Sequence, residues 1–138
     1  MFDRLASFAP YSLALLRIMS ALLFLAHGTQ KLLGFPAAEG AAGGPLPPLM
    51  MVGGVLELVG GLLLLVGLLT RPVAFVLSGM MAVAYFMFHA PQSFFPILNG
   101  GDAAILYSFV FLHLFVAGPG AWSLDGVMGR DARRPGLA

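Results

Sequence analysis

Residues 17–31 read RIMSALLFLAHGTQK, which sets an arginine, a histidine, a glutamine and a lysine inside a run otherwise apolar enough to cross a bilayer. The run begins upstream at Pro10, whose missing N–H suits the first turn of a helix. It continues to Leu33, longer than the ~20 residues needed to cross hydrocarbon. Each of three later apolar runs carries ionisable groups of its own: Glu57, then His89, then Asp102 with His113. A charge left unpaired at the centre of a membrane helix costs ~2.5–3.5 kcal/mol on insertion scales, so such groups turn inward and find one another. The fold therefore depends on which of these residues meet.

Composition places the chain in a membrane. Of its 138 residues 59% are hydrophobic and only 9% charged, and the mean hydropathy is +0.94, far above a soluble domain of this size. A formal net charge of +1 offers no clustered basic face, which excludes nucleic acid as a partner. The absence of cysteine excludes thiol–disulfide chemistry, iron–sulfur ligation and Cys-containing zinc sites. The N-terminal stretch MFDRLASFAPYSLALL leads into a long run that carries Arg17 and no small-residue cleavage site, so it reads as a retained span rather than a signal peptide.

In chain order the spans fall at about residues 10–33, 49–69, 73–90 and 102–116, in one membrane domain over residues 1–138. Residues 34–48, GFPAAEGAAGGPLPP, are too rich in Gly, Ala and Pro to hold a helix and read as a loop, either a plain connector or a lid. In the second span Gly53, Gly54, Gly60 and Gly61 flank Glu57, and small residues let helix backbones approach closely. Thr70-Arg71-Pro72 is expected to end that span in a sharp turn, making the second and third spans a hairpin. PQSFFPILNGG, residues 91–101, reads as an interfacial loop, and Gly118-Pro119-Gly120 ends the fourth span ahead of Trp122 and a polar tail, residues 126–138. The fold class is all-α: a polytopic membrane protein built as a four-transmembrane-helix bundle. Four spans put both termini on one side, with Arg4, Arg71, Arg130, Arg133 and Arg134, and only Lys31 near the opposite ends. The positive-inside rule then predicts cytoplasmic termini and a location in the cytoplasmic (inner) membrane.

At ~1.5 Å rise per residue, His27 and His89 both fall ~25 Å from the cytoplasmic ends and Glu57 ~20 Å, all in the outer half. Lys31 and Asp102 lie above them, Arg17 ~10 Å from the cytoplasmic end, and His113 near the middle. His27, Gln30 and Lys31 share one helix face at i, i+3 and i+4. The expected site is therefore a cavity lined by His27, Gln30, Lys31, Glu57, His89 and Asp102. Glu57 is the natural partner of His27, His89 or Lys31, and a carboxylate against an imidazole relays protons or binds quinone oxygens. Glu57 and His27 are the candidates for a catalytic role. The competing reading is that Glu57, His27 and Arg17 are hydrogen-bonding glue between helices. Arg17, Arg71 and His113 are assigned structural polar roles, with His113 expected buried. No metal site is assigned: His27, His89 and Glu57 are a known ligand set but come from three spans with no ligand spacing inside any one. Phe75, Phe86, Phe88, Phe94, Phe95, Phe109, Phe111 and Phe115 are available to pack a quinone ring or simply to face lipid.

Three stretches, LLRIMSALLFLAHGTQKLLGF, GGVLELVGGLLLLVGLLTRPVAF and FVAGPGAWSLD, together resemble the DoxX family of small four-helix membrane proteins, over about residues 15–125. The resemblance implies a four-helix bundle and an association with membrane oxidoreductase systems, including a subunit like that of archaeal thiosulfate:quinone oxidoreductase, and with resistance to quinones and oxidative stress. By position it highlights Arg17, His27, Lys31, Glu57, Arg71, His89 and the stretch from Gly118 to Asp125. Where family members often carry Glu at the start of the fourth helix, this chain has the shorter Asp102. The leading expectation is a quinone-binding or quinone-linked redox subunit, with quinone as the ligand and a partner redox subunit supplying or accepting electrons. The alternatives are a non-catalytic assembly or scaffold subunit, as a homo-oligomer or within a complex, and a small-molecule or lipid transporter.

Overall fold

Prolines and left-handed glycines punctuate the chain into helices. The computed structural model describes residues 2–39 and 44–130. After a short 3₁₀ segment, Phe2–Phe8, helix α1 runs over Ala9–Leu33 with Pro10 in its first turn and ends at Gly34, whose φ of 67° closes the last turn. Helix α2 (Pro48–Val66) starts directly behind Pro47 and ends at Gly67, again left-handed. Helix α3 (Thr70–Ala84) continues as a π-helical turn, Tyr85–His89. A four-residue helix α4 (Pro96–Asn99), helix α5 (Asp102–Ala117) and a short α6 (Leu124–Val127) complete the order. The chain is all-helical, with no strand among the described residues.

Three helical stretches, Arg4–Leu33, Pro48–Val66 and Thr70–His89, are long and apolar enough to cross a membrane. Helix α5 is equally apolar but has 16 residues, or ~24 Å. The protein is thus a membrane protein with three to four helices able to span. One boundary differs from expectation: the break after α2 comes at Gly67, and Thr70-Arg71-Pro72 forms the first turn of α3 rather than the turn before it. The reason is a cap supplied from far along the chain. Asp125 accepts the backbone N–H of Leu69 at 2.9 Å and of Thr70 at 2.8 Å, and Pro72 then falls where a helix needs no donor. Of the loop expected over residues 34–48, positions 34–39 and 44–47 are non-helical. Residues 40–43, and positions 131–138 of the polar tail with Arg133 and Arg134, lie outside the described residues.

Helix α1 packs chiefly on α2 and α3 on α5, and the two pairs meet mainly through α2 and α3. Gly28 sets the closeness of the first pair: a Cβ there would lie 2.7 Å from the backbone N of Leu58. The shared core is Ala21, Phe24, Leu64, Ala74, Leu77, Phe111 and Leu114.

At the end carrying the termini the bundle is tied by Arg17, which is fully buried. Its Nε donates to Pro119 O at 2.8 Å, its Nη1 to Leu64 O and Leu65 O at 2.7 and 2.8 Å, and its Nη2 to Ala121 O and Trp122 O at 3.1 and 2.9 Å. The guanidinium thus binds two carbonyls in the last turn of α2, of which Leu64 O also accepts Gly67 N at 3.1 Å, and holds the segment after α5 against them. Arg71 does the same for α5, with Nη1 donating to Phe115 O and Val116 O. At the opposite end, where residues 34–47 and 90–101 connect the helices, the two pairs separate around a cavity.

Candidate ligand site

A cavity of about 670 Å³ lies between the helix pairs, within the range that holds a drug-sized ligand, ~300–1,000 Å³. Helix α1 lines it with Phe24, His27 and Lys31, whose i, i+3, i+7 spacing is one helix face. Helix α2 contributes Gly53, Leu56 and Glu57; α3 and its π turn contribute Met80, Met81, Met87, Phe88 and His89; and α5 contributes Ala104 and Tyr107.

The centre of the site is an ion pair. Lys31 Nζ donates to Glu57 Oε1 at 2.6 Å, with the Lys31 side chain 32% exposed and that of Glu57 only 6%. So short a charge-assisted bond is strong, and it fixes the carboxylate's orientation. The second oxygen, Glu57 Oε2, is buried and has no hydrogen-bond partner among the described residues. A buried carboxyl oxygen without a donor is an open acceptor, and its unmade bond is a standing cost that a hydroxyl donor placed there would remove.

His89 is oriented by the loop that follows it. Its Nδ1 lies 3.0 Å from Asn99 O. A carbonyl only accepts, so Nδ1 carries the proton of this bond, and Nε2 is the nitrogen left to face a ligand. Buried Asn99 organises the rest of the loop: Nδ2 donates to Ser93 O and to Tyr85 Oη, and Oδ1 accepts from Gly101 N. His27 stands edge-on to Tyr107 at 6.1 Å between ring centroids, and Tyr107 in turn packs on Phe24 and Phe111.

The structure brings His27, Lys31, Glu57 and His89 to one cavity, and of the three partners expected for Glu57 it is Lys31 that pairs. Gln30 and Asp102 are not among the lining. Gln30 Nε2 turns back to Pro36 O at 3.2 Å, and Asp102 is exposed at the start of α5 while its neighbours Ala103 and Ala104 face the cavity. His113, expected buried, is exposed and borders a separate groove with Pro10, Ser12 and Leu16 of α1. Of the eight phenylalanines considered for ring packing only Phe88 lines the cavity. Phe111 is in the core and the other six are exposed. Among the described residues no three of His, Cys, Asp and Glu are grouped to hold a metal ion. Tyr107, the four methionines Met50, Met80, Met81 and Met87, and Asn99 are not marked in the sequence, since none carries a charge that compels a partner.

The residues of the cavity come mostly from the first three long helices, and it is these that a known family covers. The DoxX family model matches residues 12–90, more than half of the chain. The chain belongs to the DoxX family. The matched region holds four of the five ionisable residues of the cavity and ends before α5, so the fifth, Tyr107, lies outside it. This DoxX protein is also 47% identical over 127 residues to an uncharacterised protein of Haemophilus influenzae, a match covering 89% of this chain and 95% of that one. No solved structure matches it.

Proposed function

We propose that this DoxX protein binds a quinone or its quinol between the helix pairs, in the cytoplasmic membrane with both termini in the cytoplasm and the cavity in the outer half. The observation that carries the reading is Glu57 Oε2, buried and without a donor among the described residues, beside an ion-paired lysine. A quinol hydroxyl supplies the missing donor. Lys31 Nζ retains protons beyond the one given to Glu57 and serves the oxygen of the oxidised form. His89 Nε2 is a second acceptor, and Glu57 and His89 together take up the protons that a quinol releases on oxidation. Phe24 and Tyr107 offer ring faces and edges for the head group. The lining side chains are not electron carriers, so electrons pass to or from a partner redox subunit.

The test is a titration of purified, folded protein with a quinol. Saturable binding is expected, weakened at least tenfold by Glu57→Gln while thermal unfolding moves little. A folded preparation that shows no saturable binding refutes the proposal. Loss of fold and binding together in Glu57→Gln assigns Glu57 to the assembly of the bundle instead.

A further inference from the structure

The cavity is open toward the bilayer as well as toward the loops. Val52 on α2, Val76 and Val83 on α3 and Met87 in the π turn line it, yet are 57%, 51%, 56% and 51% exposed. On α3 the positions 76, 80 and 83 fall at i, i+4 and i+7, a single stripe along one side of the helix, and Met87 follows in the π turn. Residues 67–69 hold α2 and α3 together at the termini end, with Leu68 N bonded back to Leu63 O and Leu69 N to Asp125. The space between them is therefore available only farther along, and there its flanks are apolar side chains facing both cavity and lipid.

The cavity is also long. Its lining on α3 and the π turn runs from Val76 to His89, fourteen residues or ~20 Å along the axis, well beyond one ring. The ionisable groups are confined to Lys31, Glu57, His27, His89 and Tyr107, and the remaining wall is aliphatic, aromatic or methionine. Methionine side chains are flexible and polarisable and conform to an irregular apolar chain.

Resting on the quinone reading, we infer that the natural ligand is a membrane-resident, long-tailed quinol that enters sideways from the lipid between α2 and α3. Its head reaches the Glu57–Lys31 pair while its tail lies in the slot flanked by Val52 and Val83. A tail-less head group reaches the same pair from the loop end, past Lys31 and Gly100.

The experiment uses the full chain in lipid nanodiscs and two probes with one head group, a quinol with a decyl tail and the same quinol without a tail, each titrated by its mole fraction in the bilayer. Wild-type protein is expected to bind the tailed probe at least tenfold more tightly. Val83→Trp, a change on a lipid-exposed side chain, is expected to weaken the tailed probe at least tenfold and leave the tail-less probe within twofold. Val83→Ala keeps both. Val52→Trp on the facing helix repeats the block if Val83→Trp lowers the melting temperature. Equal binding of the two probes by wild type, or tryptophan variants that affect both probes alike or neither, overturns the lateral slot while leaving quinol binding standing. Failure of wild type to bind either probe overturns the quinone reading and this inference with it.

Discussion

Arg17 and Lys31 are both cations on α1, and their surroundings give them different work. Arg17 donates to five backbone carbonyls with every nitrogen engaged. Only a planar fork reaches so many acceptors, and lysine has three donors on one atom. Arg17→Met is expected to destabilise the bundle by at least ~3 kcal/mol, and Arg17→Lys to recover less than half of that, read from the midpoint of unfolding in sodium dodecyl sulfate. Among the described residues the Lys31 side chain bonds to Glu57 alone. Lys31→Met leaves a buried carboxylate without its counter-charge and is expected to cost ~3 kcal/mol, whereas Lys31→Met combined with Glu57→Leu restores most of it. A double-mutant cycle by the same unfolding assay checks this. The pair was legible in the sequence because a charge within an apolar run must be matched from another run. Tyr107 was not, since a tyrosine in a span is under no comparable obligation and its place beside His27 depends on how α5 is rotated.

At the scale of helices, rotation is what sequence patterns supply or withhold. Helices α1 and α2 carry charges and glycines on one side, so their facing sides could be read, and the close approach at Gly28 agrees with them. Gly28→Ala puts a methyl 2.7 Å from the Leu58 backbone and 3.1 Å from Glu57 Cβ. It is expected to cost ~1–3 kcal/mol by pushing the two helices apart and to weaken quinol binding with it, measured by unfolding and titration side by side. Helix α5 reads DAAILYSFVFLHLFVA and is apolar all round, so no face announces itself and His113 was assigned to the interior when it is exposed. The π turn was equally silent in the sequence. Ala90 N bonds to Tyr85 O at 2.9 Å, five residues back, and the extra residue re-aims His89 relative to the α3 stripe below it.

The molecule as a whole has one tied end and one open end. Asp125 belongs to the tie and makes it sensitive to acid. Burial pushes its carboxyl upward, but the N–H bonds from Thr70 and Leu69 and the nearby Arg130 guanidinium outweigh that and hold it below the ordinary carboxylate range. A folded value below the unfolded one means the bonds contribute fully above about pH 4 and are lost as pH falls through the folded value. Resistance to unfolding is expected to stay level between about pH 7 and 5 and to drop below about pH 4, with Asp125→Asn lacking its share of that drop. The four-span outline could be read from composition because hydrocarbon thickness leaves little choice of element. The tie could not, because its acceptors are backbone carbonyls that no residue name reveals. Arg17 also dictates an order of events during biosynthesis. Three of its five acceptors lie 102, 104 and 105 residues later in the chain. A ribosome working from the N-terminus delivers α1 to the membrane long before those carbonyls exist, so the newborn helix holds its guanidinium toward the lipid head groups and waits. Only synthesis past residue 122 supplies all three acceptors, and truncation anywhere before residue 119 leaves the first helix without them.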